Sequence, residues 1–379
     1  MAYTEQEKYW IWMASMPVIG PKAFYYLLKE FGDAGTFFDA VKSGKPLESI
    51  SADAAKTARA YCSEQRVAEI ISELAAKGIT AVTRLSGEYP ERLAGLQFPP
   101  PVLFVKGALS GVFDTKKPLD AISIVGTRRC TRKGFELARR IAKELAEAGV
   151  AVVSGMARGI DTAAHSGALE AGGKTIAVLG CGVDVIYPPE SDDIYYKTVE
   201  NGAVISELPP GTQPLAANFP VRNRIIAGLS KGTLVVESEI EGGTAITASM
   251  AVALGRDVFA VPGPPYLSTA SLSNMLIKQG ACIACSAVDI LEFYGLGSEK
   301  APAAADMGSP TRRKACWGEK CIQLDFLQRQ IYNLLLQGDT SVESIALSIK
   351  YPQSEINSAL TLMELGGLIK RLPGGKYGI

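Results

Sequence analysis

The sequence predicts an α/β protein built on a Rossmann-like, doubly wound and mostly parallel sheet. Six short apolar runs rich in β-branched residues recur between residues 121 and 261, and most lack the alternation of a half-exposed strand. Helical stretches with an apolar face, such as 135–148, separate several of these runs. Strands that alternate with helices in this way are typical of a doubly wound fold. The predicted strands are residues 122–125, 150–153, 175–179, 203–205, 233–236 and 258–261.

The composition is that of an ordinary globular protein. Of 379 residues, 47% are hydrophobic, and 39 Lys and Arg balance 39 Asp and Glu. This balance argues against a histone-like coat of positive charge, but a local basic patch is enough to bind nucleic acid. No apolar run is long enough to span a membrane, and the first residues lack the pattern of a signal peptide. We therefore expect a cytoplasmic protein, not bound to a membrane, whose seven cysteines are reduced thiols.

The first 75 residues are predicted to form a separate helical domain of the helix-hairpin-helix or SAM-like kind. A glycine-proline turn at 18–22 precedes a helix with an apolar face. Such a turn can place backbone N–H groups against a DNA phosphate, and it also occurs in helical packing without nucleic acid, so both interpretations stay open. Residues 76–117 are predicted to be an extended connector, packed on the sheet domain of residues 118–295.

The C-terminal part is predicted to be a winged-helix domain behind a linker. Residues 296–320 are small, polar and proline-containing, which is typical of a flexible linker. Residues 321–379 show three helical patterns, followed by two short strands around Gly374 and Gly375. The third helix carries no Arg or Lys, although a helix that reads a DNA groove usually has basic or amide side chains. This favours contact with a protein partner or a second copy over DNA readout.

Histidine and cysteine offer little for metal binding or catalysis. His165 is the only histidine, which excludes a multi-histidine metal site, and its spacing from Asp161 predicts a contact between the two at a helix start. Cys282 and Cys285 have the spacing of metal ligands, but residues 281–285 are predicted to be a buried strand. The next pair, Cys316 and Cys321, is loosely spaced. We predict no metal.

The loops at the carboxyl ends of the predicted strands carry the candidate binding residues, because ligands of doubly wound sheets bind at that edge. Backbone N–H groups at helix N-termini, with guanidinium groups beside them, favour phosphate. Glycines, hydroxyls and arginines occur in four such loops, of which the last is Pro262-Gly263. The candidate DNA- or phosphate-binding residues are Gly126, Thr127, Arg128, Ser154, Gly155, Arg158, Phe219, Arg222, Asn223, Arg224, Gly242, Gly243 and Thr244.

The same loops exclude two common nucleotide-binding motifs. No second or third glycine follows Gly126 at the spacing of a dinucleotide fingerprint, and no P-loop occurs, so we predict neither NAD nor ATP chemistry and no cofactor. Two structural alternatives stay open. The arginines could form ion pairs with Glu207, Glu237 or Glu239, above all Arg224, which lies deeper in its helix. Phe219 could belong to the core or could stack on a base.

Several long motifs in a fixed order resemble the DprA/Smf (DNA-processing protein A) family. They are VGTR at 125–128, SGMARGIDTAAH at 154–165, YP at 187–188, SE at 206–207, FPVRNRIIAGL at 219–229, GGT at 242–244 and GRDVFAVPG at 255–263. The resemblance implies a homodimer that binds single-stranded DNA and loads the RecA recombinase onto it during natural transformation. It also implies that the loops at Arg128, at Ser154-Gly155, at 219–224 and at Gly243-Thr244 line a phosphate pocket, with Phe219 on a base.

The chain departs from the family pattern at three places. Family members often carry a DNA-facing lysine three residues before the phenylalanine, where this chain has Ala216. A hydroxyl residue of the glycine loop is replaced by Gly242, which keeps the backbone donors, and a customary glycine before Asn274 is replaced by Ser273. The first departure predicts weaker binding and a flatter salt dependence.

A binding protein without catalytic activity is therefore the leading interpretation. The first alternative is a nucleotide hydrolase of the related Rossmann-like superfamily, in which Glu237 or Glu207 beside the loop 242–244 would be a general base. The full proline-glycine signature of those hydrolases is missing. The second alternative is a transcription regulator that acts through the winged helix.

Overall fold

The computed structural model consists of two compact units, Met1–Pro302 and Ala303–Ile379. It describes residues 3–296 apart from 17, 48, 49 and 115, and residues 326–378 apart from 336–339, 350, 352, 366–368, 373 and 374. The predicted linker at 296–320 lies outside the described residues, except for its first residue.

The first unit contains a nine-stranded sheet of order β1-β2-β6-β5-β4-β3-β7-β8-β9. Strands β3 to β9 pair in parallel, whereas β2 pairs antiparallel with both β1 and β6. The sheet is thus mostly parallel, which confirms the predicted fold class. The strands are β1 Thr80–Thr83, β2 Val102–Gly107, β3 Ala121–Val125, β4 Ala151–Ser154, β5 Thr175–Val178, β6 Gly202–Ser206, β7 Gly232–Val235, β8 Asp257–Ala260 and β9 Cys282–Ile283.

Helices cover both faces of this sheet, because strands β3 to β8 are apolar on both faces. On one face lie α9 Asn218–Leu229, α10 Gly243–Ala253 and α11 Ser271–Lys278. On the other lie α6 Arg132–Glu147, α7 Ile160–Glu170 and α12 Ala287–Phe293, with α8 Asp192–Asn201 further along. The strand order reverses at β3, which lies between β4 and β7. Ligands of doubly wound sheets bind outside the carboxyl ends of the strands at such a reversal.

The N-terminal helices share a hydrophobic core with the sheet, whereas the sequence analysis expected a separate domain. Trp12, Phe24 and Phe37 of these helices are buried in one cluster with Phe104 of β2 and Val204 of β6. The aromatic side chains need a large apolar surface, and the face of β2 and β6 provides it. The helices are α1 Glu5–Ala14, α2 Pro21–Phe31, α3 Ala34–Lys42, α4 Ala52–Tyr61 and α5 Glu64–Ala76.

Residues 76–117, expected as a connector, contribute β1 and β2 to the sheet. Residues 102–105 of β2 are all buried, and β2 continues the sheet by antiparallel pairing with β6, from Phe104 opposite Ser206 to Gly107 opposite Ala203. The pattern missed these strands because β1 has four residues and three prolines precede β2. Prolines end regular pairing, so the segment was expected to be irregular.

The second unit has the helices and hairpin expected of a winged helix, with one further short strand. Its helices are α13 Phe326–Leu335, α14 Val342–Ile349 and α15 Gln353–Leu365, and its sheet has the order β10-β12-β11. The strands are β10 Thr340–Ser341, β11 Lys370–Leu372 and β12 Lys376–Gly378. Ile331, Ile345 and Ile356 meet in its core.

In neither unit does a described helix combine the length and the apolar character needed to cross a bilayer.

Helices α6 and α7 pack closely at Gly167, where a Cβ atom would lie 2.0 Å from the carbonyl oxygen of Arg139. We expect Gly167→Ala to lower the free energy of unfolding by about 1–3 kcal/mol, although alanine favours the helical backbone by roughly 1 kcal/mol. Urea unfolding, followed by the fluorescence of the buried Trp10 and Trp12, measures the change. Gly95→Ala is the control, since a Cβ atom there meets nothing within 4 Å. Equal stability of the two variants would contradict the close packing.

Candidate nucleic-acid interface

A cleft of about 640 Å³ lies at the carboxyl edge of the sheet, where β3 and β7 are neighbours. Its walls come from the loop after β3, the first turns of α9 and the loop that leads into α10. The predicted binding residues that line it are Gly126, Thr127, Arg128, Phe219, Arg222, Asn223, Gly242, Gly243 and Thr244. The topology therefore brings together residues more than 100 positions apart in the sequence.

Gly126 allows the chain after β3 to pass against the chain after β7. A Cβ atom at this position would lie 2.8 Å from the carbonyl oxygen of Glu237 and 2.4 Å from a side-chain carbon of Ile160. Directly after it, the Thr127 N–H donates a hydrogen bond of 2.6 Å to the same Glu237 carbonyl. This contact turns the following residue, Arg128, toward the cleft, where its side chain is exposed.

The N-terminus of α10 opens into the cleft. Gly242 is its N-cap, no side chain caps the first turn, and a Cβ atom on Gly243 would meet only open space. The amide of Asn223 donates to the carbonyl oxygen of Gly243 at 3.2 Å and ties α9 to this turn. The first N–H groups of a helix carry partial positive charge and favour an anion. This end of the cleft is therefore suited to a phosphate oxygen.

Two guanidinium groups lie close to the ring of Phe219, which also lines the cleft. The centre of the Arg128 guanidinium is 5.2 Å from the ring centroid, and that of Arg222 is 5.9 Å from it. Tyr187 packs on the same ring at 5.5 Å. Phe219 is half-buried, so one part of the ring stays open to the cleft. An aromatic ring in this setting can stack on a nucleobase.

Arg128 and Arg129 supply the available positive charge of the cleft. Both side chains are exposed and line it, and within the described part of the chain neither pairs with a carboxylate. An exposed, unpaired guanidinium can bind a phosphate without first breaking an ion pair. Sequence reasoning had not selected Arg129, although its position beside Arg128 was a sufficient signal.

Arg222 lines the cleft but is almost completely buried. Only 4% of the residue is exposed, and its Nη1 donates to the carbonyl oxygens of Gly155, at 2.8 Å, and of Val178. Burial lowers the pKa of Arg222 to about 10, so the side chain is still a cation at neutral pH beside the buried Asp161. Arg222 thus fastens α9 to the ends of β4 and β5, and its guanidinium group lies close to the ring of Phe219.

Four further predicted residues do not line the cleft. The Ser154 hydroxyl is fully buried and donates to the carbonyl oxygen of Ile124 at 2.6 Å. Gly155 is buried against Arg222. Arg158 pairs with Glu190 on the surface, and Arg224 pairs with the nearly buried Glu207. For Arg224 the ion-pair alternative of the sequence analysis is therefore the one observed.

Both carboxylates proposed as a general base are held by structural contacts. Glu237 accepts hydrogen bonds from the backbone N–H and the hydroxyl of Thr131, at 2.7 and 2.6 Å, and Glu207 pairs with Arg224. Neither lines the cleft, whereas Glu239 does, at its exposed rim, where it accepts from the Ser268 hydroxyl at 3.1 Å. The geometry therefore gives no support to Glu237 or Glu207 as a base.

His165 and Asp161 do not form the predicted pair. The Met156 N–H donates to His165 Nε2 at 3.3 Å, and Nδ1 lies 2.8 Å from the Thr175 hydroxyl. Asp161 instead accepts from the N–H groups of Gly155 and Ala157. Because Nε2 is an acceptor, Nδ1 carries the proton of a neutral imidazole. The two side chains separately hold the loop after β4 beneath the cleft.

Residues 281–285 do not form the predicted buried strand, because β9 comprises only Cys282 and Ile283 and Ile283 is 55% exposed. Cys282 lies in the edge strand β9, and Cys285 is exposed. The part of the chain that the structure describes contains no group of three or more His, Cys, Asp or Glu placed to hold a metal ion. Cys316 and Cys321 fall outside that part.

Arg222→Ala would leave two buried carbonyl oxygens and the Asp161 carboxylate without their cationic partner. We expect a loss of about 3–5 kcal/mol in the free energy of unfolding, as for other broken buried charge pairs. Arg128→Ala is the matched control, since the exposed Arg128 should change stability by less than about 0.5 kcal/mol. Urea unfolding measured by tryptophan fluorescence distinguishes them. Equal stability of both variants would show that Arg222 is not a structural brace.

Burial lowers the pKa of His165 to about 3, whereas an unfolded chain titrates near 6.5. The stability that His165 contributes is therefore complete above pH 6.5 and decreases as the pH falls toward 3. Burial raises the pKa of Asp161 to about 6, so Asp161 increases the stability of the folded protein as the pH falls from about 6 to 4.

We expect the NMR signal of the single imidazole, that of His165, to stay constant from pH 8 to about 5 in the folded protein. The urea-unfolded chain is the control. A folded-state midpoint near 6.5 would contradict the buried neutral ring.

Comparison with known proteins identifies the family of the chain. The family model for DNA recombination-mediator protein A matches residues 80–295, and that for the DprA winged helix domain matches residues 322–375.

Protein Smf of Escherichia coli (strain K12) is 37% identical over 292 residues, which cover 76% of this chain and 74% of that protein. Protein Smf of Synechocystis is 33% identical over 309 residues, which cover 76% of this chain and 77% of that one. The X-ray structure of DNA processing protein A (DprA) from Streptococcus pneumoniae matches with a TM-score of 0.65 and 31% identity, over 77% of this chain and 98% of that chain. The chain therefore belongs to the DNA recombination-mediator protein A (DprA/Smf) family.

Proposed function

We propose that the protein binds single-stranded DNA in the cleft and does not cut it. The observation that carries this proposal is that one cleft holds the half-buried ring of Phe219, with two guanidinium groups close to it, and the uncapped N-terminus of α10. A phosphate binds at the α10 turn and at Arg128 and Arg129, and a base stacks on Phe219.

A single strand fits this arrangement better than a duplex does. The bases of a duplex are stacked on each other, whereas a base that reaches Phe219 must be unstacked. A positively charged groove with an aromatic platform binds single strands with little preference for sequence. Ala216 is exposed at the cleft, so the family's customary lysine is missing there and the charge comes from the two arginines.

We further propose that the protein acts in the cytoplasm as a homodimer and loads RecA onto the bound strand during natural transformation. The membership of a recombination-mediator family supports this assignment. Residues 225–230 are buried in the first unit and are therefore unsuitable as a dimer surface. A RecA strand-exchange assay on oligonucleotides precoated with a single-strand-binding protein tests the loading step, and sedimentation equilibrium tests the dimer.

Arg128→Ala should weaken binding to oligo-dT by roughly 1–3 kcal/mol, because a charged hydrogen bond to phosphate is lost. The salt dependence should also decrease, by about 0.7 in slope for one lost contact with a single strand. Fluorescence anisotropy with labelled oligo-dT and a matched duplex, at several salt concentrations, measures both quantities.

Arg140→Ala is the control for this experiment, since Arg140 is also an exposed arginine and lies on α6 outside the cleft, in a surface ion pair with Glu144. Arg128→Ala binding as tightly as the parent would place the phosphate elsewhere. Release of free base from a nucleotide would favour the hydrolase alternative.

A further inference from the structure

A second cleft of about 310 Å³ lies on the other side of the carboxyl end of β7. Its walls are the first turn of α6 and the loop from Val261 to Ala270, and its lining is mostly apolar. The side chains that matter below are Lys133 on one wall and Tyr266 on the other. None of the functions discussed so far uses this cleft.

The two clefts share walls on both sides. Arg129 lines the first and Thr131 lines the second, so their Cα atoms are no more than about 7.6 Å apart along the chain. Glu237 and Ser238 are likewise consecutive residues of the opposite wall. In addition, the Ser238 N–H donates to the carbonyl oxygen of Thr269 at 2.6 Å, which fastens the loop of the second cleft to the rim of the first.

The segment that joins the clefts is strongly basic. Residues 128–133 contain Arg128, Arg129, Arg132 and Lys133, and all four side chains are exposed. Arg132 pairs with Glu136 in a solvent-exposed ion pair, which is weak, whereas Lys133 pairs with no carboxylate among the described residues.

The acidic groups near this segment do not cancel its charge. Both oxygens of the Glu237 carboxylate accept hydrogen bonds from Thr131 and point into the first turn of α6. Glu239 lies at the rim beside Ser268. Four cations within six residues therefore face solvent along the two clefts, against the carboxylates of Glu136, Glu237 and Glu239, and the remaining positive excess is complementary to a phosphodiester chain.

Tyr266 gives the second cleft an aromatic surface for a base. It is 84% exposed, and its ring contacts no other aromatic ring in the described parts of the chain. The turn that precedes it is rigid, because Asn274 accepts from the Gly263 N–H at 3.1 Å and donates to the Gly263 carbonyl at 2.9 Å. Tyr266 thus leaves a fixed turn with an exposed ring, in the same cleft as the unpaired Lys133.

We propose that the same single strand continues from the first cleft across residues 129–133 into the second, where a base stacks on Tyr266 and Lys133 contacts a phosphate. This inference rests on the proposed function and deepens it, since it lengthens the binding site by the nucleotides that the second cleft holds. The continuity of the walls and the basic segment support the path, and the apolar lining with Tyr266 suits a base.

The test is a length series of oligo-dT, from about three to about twelve nucleotides, with affinities measured by anisotropy at constant salt. A short oligonucleotide fills only the first cleft. We expect Tyr266→Ala to bind the shortest oligonucleotides like the parent and to bind the longest roughly 5- to 50-fold more weakly, as for the loss of one stacked base. Tyr266→Phe keeps the ring and should bind like the parent at every length.

Lys133→Ala should flatten the salt dependence by about 0.7 in slope for long oligonucleotides only. Lys174→Ala is its control, because Lys174 is an exposed lysine directly before β5, at the opposite edge of the sheet. Tyr266 is so exposed that its replacement should leave the unfolding midpoint unchanged, which a melting curve checks.

The outcomes separate this inference from the proposed function. If the parent binds oligo-dT and Arg128→Ala weakens it, but Tyr266→Ala and Lys133→Ala match the parent at all lengths, the second cleft is not part of the path. A loss that is equal for short and long oligonucleotides would also overturn the two-cleft path. A parent that binds no oligonucleotide overturns the proposed function and this inference together.

Discussion

Glu237 is the residue on which the geometry of the binding edge depends. Its backbone carbonyl accepts the N–H of Thr127, and its carboxylate accepts the N–H and the hydroxyl of Thr131. One residue at the end of β7 therefore holds the loop after β3 at two points, directly at the reversal of the strand order. The packing is so close that Gly126 and Gly134 leave no room for a side chain. Because both ends of the loop are fixed, the arginines between them are directed outward.

The buried and the exposed arginines of the site have different electrostatic roles. Arg222 is enclosed with Asp161 and two carbonyl groups, so its charge is used inside the protein. Arg128 and Arg129 are exposed and have charge available for a ligand. The chain as a whole has no net charge, and the binding edge is basic because these side chains converge there. A local positive potential of this kind attracts a polyanion to one edge and does not favour non-specific binding to the rest of the surface.

The carboxylates considered as catalytic groups are held by structural contacts. A general base must reach the ligand, yet Glu237 and Glu207 are engaged by Thr131 and Arg224. His165 is buried and neutral beneath the loop after β4. These three side chains thus take part in structural hydrogen bonds or ion pairs. The lining of the cleft includes cations, the backbone N–H groups at the start of α10 and an aromatic ring.

The sequence by itself determined the alternation of strands and helices, the winged helix and the loops at the carboxyl edge, because these depend on local periodicity and on glycine and proline positions. The motif order was also enough to name the family. Only the tertiary structure decided which arginine is free and which is a brace, since the burial of Arg222 depends on the ends of β4 and β5, more than 40 residues away. Packing also decided that β1 and β2 extend the sheet and that the N-terminal helices share its core. The tertiary structure also decided that Tyr187 packs on Phe219 and that Tyr266 lies in a cleft with the first turn of α6. These neighbours are distant in the sequence, so no periodic pattern predicts them. Local patterns report the backbone, whereas the environment of a side chain is a property of the whole fold.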